Sequence, residues 1–262
     1  MSGSLFDKII NEIAGFNDHV EKVMLYLDCE PLVDRRLHTK VRKLKEVGMK
    51  KVNIATNGSI LHEHRAVELI ESGLDEIYIT IDSLNKNIYE KIRVGLKFDV
   101  VMDNAKQFIR LRDKLNPELR IRIQAIILKE NHREVDAIKD YWMQLLKPAD
   151  QVVIQKAHNW GNTVEVMKFG DEDGINNIPC KSLWGTCVVH ADGQIGLCTM
   201  DTSMSVALGD VNGRSIEQIW DGDAISTIRE KHLDAQRNEV SICDGCTHWR
   251  EEKREINQPK PD

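Results

Sequence analysis

Five times within the first 160 residues, a short apolar run is joined by a stretch whose apolar residues recur at helical spacing, and few architectures accommodate that alternation. Residues 23–27 (VMLYL), 52–55, 76–81 (EIYITI), 121–128 (IRIQAIIL) and 151–154 read as strands. The intervening helical patterns are 37–47, ended by Gly48; 61–71, ended by Gly73; 101–111; and 135–146, halted by Pro148. Strands separated by helices of this length pair in parallel through right-handed crossovers, which leaves an α/β barrel or an open sheet. A helical stretch at 5–13 precedes the first strand, so the unit begins in the middle of a repeat.

Beyond Trp160 the pattern changes. Residues 161–179 are rich in Gly, Asn, Asp and Glu and read as a linker. From Cys180 short strands flank Asp192-Gly193, a good hairpin dipeptide, and a helix is expected near 216–228. The expected organisation is therefore an α/β domain over 4–160, the linker 161–179, a small α+β module over 180–249, and a charged flexible tail, 250–262, ending in two prolines.

Charge narrows the function classes. Thirty-six Lys and Arg against forty-two Asp and Glu give a net charge of −6. Nucleic-acid backbone and anionic lipid both require clustered cations, so neither is an expected partner. No apolar run long enough to span a bilayer occurs, and the start lacks a basic segment followed by an apolar core, so a cytoplasmic protein is expected.

Of the six cysteines, Cys29 stands alone, while Cys180, Cys187, Cys198, Cys243 and Cys246 fall in the last third. In a reducing compartment, clustered thiols are more often metal ligands than disulfide partners. Cys243 and Cys246 form a CxxC (CDGC), whose spacing lets both sulfurs face one centre. Seventeen residues separate Cys180 from Cys198, and forty-four separate Cys198 from Cys243. Four thiolates could hold zinc or a 4Fe-4S cluster, and ligand count alone does not choose. One CxxC pair with two widely spaced singles departs from a zinc ribbon.

The stretches CKSLWGTCVVHADGQIGLCTMD, LGDVNGRSIEQIWDGDAISTIREKH and CDGC resemble the C-terminal module of radical S-adenosylmethionine enzymes of the SPASM and twitch type. The resemblance is greatest to the aminocyclitol (2-deoxy-scyllo-inosamine) dehydrogenase type. It implies that Cys180, Cys198, Cys243 and Cys246 hold one auxiliary 4Fe-4S cluster, and it puts Cys187 at an apolar strand position with a structural role. The first half carries the same resemblance in LYLDCEPLVDRRL, NIATNGSIL and GLDEIYITIDSLNKNIYEKIRVGLKFDVVMDN. There it implies that Glu30 contacts the methionine amino group, that Asn57, Thr80 and Asp82 line the cofactor pocket, and that Arg93 binds a carboxylate. The implied fold is a partial (β/α)6 barrel of the radical SAM type lacking its first βα unit, followed by the SPASM/twitch module. Polar side chains at strand carboxyl ends then face one mouth of the barrel.

Family members bind the cluster that cleaves S-adenosylmethionine through a CxxxCxxC loop, and this sequence contains none; Cys29 stands where the family has Gly. The resemblance therefore implies an N-terminally truncated radical SAM oxidoreductase. A full-length form would use S-adenosylmethionine and a second 4Fe-4S cluster to oxidise a sugar, aminocyclitol or peptide substrate, with electron transfer to the auxiliary cluster and a flavodoxin or ferredoxin as reductant. The alternatives are a non-catalytic remnant or accessory electron carrier, and a zinc-stapled binding protein.

Other candidates are weaker. His62 and His64, with Glu63 between them, do not share a helix face. His158 and Trp160 follow the last strand and could touch substrate or simply order a loop. His190 is expected to stabilise a turn, and His248 and Trp249 to cover the cluster. Gln124 and Gln155 could line the pocket or satisfy hydrogen bonds inside the barrel.

Overall fold

The computed structural model describes residues 1–161 and 179–246. They divide into two compact units: Ile13–Ala157, and Met1–Glu12 together with the described residues from His158 onward. Helix α1 (Gly3–Ala14) thus contributes its first turns to the second unit rather than to the α/β domain alone. Lys8 Nζ donates to the Val211 carbonyl, and the Ile216 amide donates to Glu12 Oε2 at 2.7 Å.

In the α/β unit the strands are β1 (Val23–Met24), β2 (Val52–Thr56), β3 (Glu76–Thr80), β4 (Arg120–Ile127) and β5 (Gln151–Lys156). They form one parallel sheet in the order β1-β2-β3-β4-β5. This is the partial barrel, with helices α2 (Leu37–Glu46), α3 (Glu63–Glu71), α4 (Lys86–Ile92), α5 (Phe98–Leu115) and α6 (Val135–Met143) in the crossovers.

Register explains the alternation. Ile54, Ile77, Ile121 and Ile123 lie on one face with Val52 and Ile79, all buried; fully burying such a side chain is worth about 1.5–3 kcal/mol. The opposite face carries Asn53, Tyr78, Thr80, Arg122 and Gln124. An isoleucine face and a polar face on the same strands are what a barrel wall needs when one side packs under helices and the other lines an interior.

Several expectations are corrected. The first strand is only Val23–Met24 rather than 23–27, because its ladder with β2 runs no further than the Leu25 amide bonded to the Asn53 carbonyl at 3.0 Å. Helix α4 occurs in a stretch with no helical assignment, started by Asn85, whose side chain accepts from the Asn87 and Ile88 amides. The next helix starts three residues earlier than expected and runs to Leu115. The helix before β5 ends at Met143, short of 146.

The far end of the sheet is pinned by a buried ion pair. Asp150 accepts from Arg112 Nη1 and Nη2 at 2.8 and 2.5 Å and from the amides of Ile121 and Lys147 at 2.8 and 3.0 Å. This sets the carboxylate between α5 and the starts of β4 and β5. Burial pushes its pKa up, but the guanidinium and the two amides overcome that and hold it below the ordinary value.

The second unit holds α7 (Ser182–Gly185) and an antiparallel sheet of β6 (Val188–Val189), β7 (Gln194–Gly196) and β8 (Ala207–Asp210). The Asp192-Gly193 hairpin is present, with Gly193 at φ +101°, where a Cβ would meet Asn212 Nδ2 at 2.5 Å. The single helix expected over 216–228 is two, α8 (Ile216–Trp220) and α9 (Asp223–Leu233), parted by Asp221 and Gly222. Ser215 and Gln218 close a capping box on α8. Cys187 precedes β6 and is exposed, not an apolar strand position. Most of the linker 161–179, His248, Trp249 and the tail lie outside the described residues.

Candidate metal centre and cofactor face

The candidate metal centre spans two turns. Cys198 follows β7, and the loop after it is fixed by Asp201, which is fully buried and accepts from the Ser205 amide and hydroxyl and the Val206 amide, each at 2.8 Å. The CDGC turn is closed by the Cys243 amide on the Val240 carbonyl at 2.8 Å and the Cys246 amide on the Cys243 carbonyl at 3.3 Å, with Gly245 at φ +71°. Cys180 leads into α7.

These thiols sense one another. Burial first, then the neighbouring Cys198, Cys246 and Cys180, push the Cys243 thiol up to about 12. The Cys198 thiol stands at about 11, raised by burial and by Cys246 and Cys180, while the Met200 and Asp201 amides directed at its sulfur pull it down. Amides aimed at a sulfur stabilise its thiolate, the form that binds metal. Cys187 is exposed and feels none of the other thiols. Among the described residues, no three His, Cys, Asp or Glu side chains close around a single metal ion.

Two further side chains engage the cysteine backbones. His232, buried, accepts the Cys180 amide on Nδ1 at 3.3 Å. Arg237, also buried, donates through Nη2 to the carbonyls of Cys243 and Cys246 at 2.9 and 3.2 Å. Neither was singled out from sequence. The signal was a His and an Arg six to eleven residues before a CxxC, which has no meaning until the chain folds back.

On the α/β unit the polar groups gather at strand carboxyl ends. Glu30 follows the edge strand and starts a 3-10 turn, Pro31–Val33. Its Oε1 accepts from the Leu32 amide at 3.1 Å and the Thr56 hydroxyl at 2.7 Å, and its Oε2 accepts from the Asn57 amide at 2.8 Å. Asn57 in turn accepts from the Ser59 amide and hydroxyl at 2.9 and 2.6 Å. Glu30 and Asn57 are thus brought together at the end of β2.

Thr80 ends β3 in register with Gln124. Asp82, two residues on, is 1% exposed and binds Arg93 Nε at 2.5 Å, with its other oxygen accepting the Ile126 amide at 2.8 Å. Asn131 bonds the Asp82 and Ile126 carbonyls at 2.6 and 2.8 Å, and Glu134 accepts from Ser83 and Leu84 at 2.8 and 2.9 Å. Asp82 is therefore an anchor for Arg93, whose guanidinium is part-exposed. Nearer the strand starts the same sheet face is filled by Tyr78, which stacks under the Arg122 guanidinium at 4.2 Å and meets Tyr26 edge-on at 6.3 Å. Burial pushes both tyrosines up to about 12, with Tyr78 adding to the rise at Tyr26 and Glu76 to that at Tyr78, while the Arg122 guanidinium works against it at both.

A family model described as the Radical SAM superfamily matches residues 5–141, more than half of the chain, and one described as the SPASM iron-sulfur cluster-binding domain matches residues 180–247. The chain belongs to the radical SAM superfamily. Radical SAM and SPASM domains carry S-adenosylmethionine and 4Fe-4S clusters as cofactors.

This radical SAM chain is similar to a probable GTP 3′,8-cyclase of Sulfurisphaera tokodaii, 31% identical over 112 residues, which are 43% of this chain and 34% of that protein. It is also similar to a tungsten-containing aldehyde ferredoxin oxidoreductase cofactor-modifying protein of Pyrococcus furiosus, 27% identical over 149 residues, 55% of this chain and 40% of that one. The chain thus spans well under half the length of either curated relative. Among solved structures, BtrN in complex with AdoMet and 2-DOIA superposes with a TM-score of 0.61 at 17% identity, covering 95% of this chain and 80% of that one. Native anSMEcpe with bound AdoMet gives 0.65 at 12%, covering 95% and 81%. At these identities the likeness is one of fold.

The residues fit one cluster and not the other. Four thiols within mutual electrostatic reach, two amides on a sulfur and a buried guanidinium beside the turn suit a thiolate-ligated auxiliary cluster. The cluster that cleaves S-adenosylmethionine needs three closely spaced thiolates, and this unit offers only the exposed Cys29. No helix among the described residues is long and apolar enough to cross a membrane.

Proposed function

We propose that the C-terminal module holds a 4Fe-4S cluster on Cys180, Cys198, Cys243 and Cys246, and that this cluster accepts one electron during oxidation of a sugar, aminocyclitol or peptide substrate. The observation that carries this reading is that Cys180, Cys198 and Cys246 all act on the Cys243 thiol, and Cys180 and Cys246 on the Cys198 thiol, so four protein thiols lie within electrostatic reach, enough to ligate every iron of one 4Fe-4S cluster. A fully protein-ligated cluster is suited to moving electrons rather than binding substrate. In the family, S-adenosylmethionine supplies a 5′-deoxyadenosyl radical that removes a hydrogen atom. Held by Cys180, Cys198, Cys243 and Cys246, the cluster would supply the acceptor for the one electron that a substrate alcohol radical loses, with a proton to solvent, in completing a two-electron oxidation to a carbonyl.

Glu30, Asn57, Thr80, Asp82 and Arg93 form the proposed cofactor-pocket set. Glu30 and Arg93 supply the opposite charges that the ammonium and carboxylate of an amino acid require. The domain bounds 4–160 and 180–249, a flavodoxin or ferredoxin reductant and a cytoplasmic location belong to the same proposal.

A second reading, an accessory electron carrier without radical chemistry, is favoured by one feature: the sequence has no CxxxCxxC, and Cys29 is a lone thiol. Anaerobic reconstitution with iron and sulfide tests both. About four irons per chain with visible charge-transfer absorption supports the auxiliary cluster. One zinc and no colour refutes it. S-adenosylmethionine binding by the loaded chain, lost in E30Q or R93A, supports the oxidoreductase reading over the carrier.

A further inference from the structure

The short stretch His232 to Arg237 grips the backbone of three of the four cysteines. His232 takes the Cys180 amide on Nδ1 at 3.3 Å, and Arg237 bridges the carbonyls of Cys243 and Cys246 at 2.9 and 3.2 Å with one nitrogen. Arg237 is 7% exposed, sits in the 3-10 turn Arg237–Glu239, and follows Ala235, whose φ of +62° turns the chain back from α9. A guanidinium is costly to bury and stays charged at any working pH. A neutral amide donor could satisfy both carbonyls without that cost, and the guanidinium Nη2 is held directly against the Cys243–Cys246 turn.

Reduction of a thiolate-ligated cluster adds one negative charge to a site that is already anionic. A fixed cation nearby favours the state that carries the extra electron, and burial lets it act at lower dielectric than a surface lysine could. We propose that Arg237 is a positioning residue that sets the reduction potential of the auxiliary cluster, raising it by a charge held against the Cys243–Cys246 turn. The proposal rests on the cysteines holding a 4Fe-4S cluster. It predicts a better electron acceptor than the same ligands would give alone, and an effect independent of pH between about 6 and 9, because the guanidinium does not titrate there.

The test uses the full chain, reconstituted anaerobically with iron and sulfide, as wild type, R237K and R237Q. Iron and sulfide are counted, and the midpoint potential is read by optical and paramagnetic-resonance redox titration. R237Q keeps a carbonyl-directed donor but no charge. At the wild-type midpoint its ratio of reduced to oxidised cluster is expected to fall on the order of tenfold, equivalent to about 59 mV for a one-electron couple. R237K keeps the charge and is expected within about threefold of wild type. Equal potentials in all three proteins would overturn the inference while leaving the cluster assignment intact. A wild type that binds no iron would overturn the assignment and the inference with it. If R237Q does not load iron, R237M supplies the charge-free comparison with R237K: a roughly tenfold lower ratio in R237M alone supports the role of charge, and equal potentials, or an equal loss in both, refute it. Loss of iron from both variants would reduce Arg237 to a structural anchor and also refute the potential-setting role.

Discussion

Removing the more exposed member of the Asp82–Arg93 pair should cost more stability than neutralising the buried one. Asp82 is 1% exposed and its Arg93 partner 29% exposed. R93A leaves a buried carboxylate with a single remaining side-chain bond, from the Ile126 amide at 2.8 Å. Stranding a buried charge costs about 3–5 kcal/mol, and the space vacated by a part-exposed side chain admits water, so about 3 is expected. D82N is isosteric, still accepts from Ile126, and frees a guanidinium that already reaches solvent. It forfeits one charge-assisted bond, about 1–2 kcal/mol after screening. The gap of about 1–2 kcal/mol corresponds to roughly 2–8 °C in Tm for a chain of this size. Urea titrations at pH 7 followed by both tryptophan fluorescence and far-ultraviolet dichroism measure it. A D82N variant as unstable as R93A, or more so, would show that the guanidinium does not compensate Asp82 and that the anchoring argument is wrong.

Three further outcomes follow from the geometry. D150N, which removes the bidentate partner of the Arg112 guanidinium and leaves it Asp113 and the Leu119 carbonyl, is expected to cost about 1.5–3 kcal/mol at neutral pH. Because the folded Asp150 pKa is depressed below 3.8, that stabilisation is present above pH 4 and lost as pH falls through the folded value, so wild-type and variant urea midpoints should converge below about pH 4; a constant difference would refute the assignment. G193A places an L side chain at φ +101° and a Cβ against Asn212, and should cost about 1–3 kcal/mol while lowering iron loading through the hairpin that carries Cys198; melting and iron analysis read both. C243S should abolish iron binding in the reconstituted chain, whereas C187S should leave it unchanged, and iron loss in C187S would refute its exclusion from the ligand set.

What could be read from sequence followed one kind of signal. Val52, Ile54, Ile77, Ile79, Ile121 and Ile123 repeat at the spacing of a buried face, so strand identity and parallel pairing were accessible locally. Helix α4 was not, because its start depends on one Asn85 side chain folding onto two amides, with no long apolar stripe beyond it. The break between α8 and α9 turns on Asp221-Gly222 inside a continuous helical pattern, where only tertiary packing decides whether the helix bends or stops. The pocket residues were named through a family likeness, yet that likeness could not say that both Glu30 oxygens and both Asp82 oxygens already have partners within the chain.

Those satisfied partners bear on how the site works. Glu30 can meet a ligand ammonium only alongside, or in exchange for, its bonds to Thr56 and Asn57, so binding there should tighten or loosen the end of β2 rather than leave it unchanged. Arg93 differs, since only Nε is committed to Asp82 and its outward edge remains available. The metal centre shows the same economy in another form. Cys180 and Cys246 are near enough to act on both Cys198 and Cys243. Four thiols in reach of one another, two amides aimed at the Cys198 sulfur and a buried guanidinium on the carbonyls of the Cys243–Cys246 turn are the kind of surrounding that orients thiolate ligands and tunes an electron-accepting cluster.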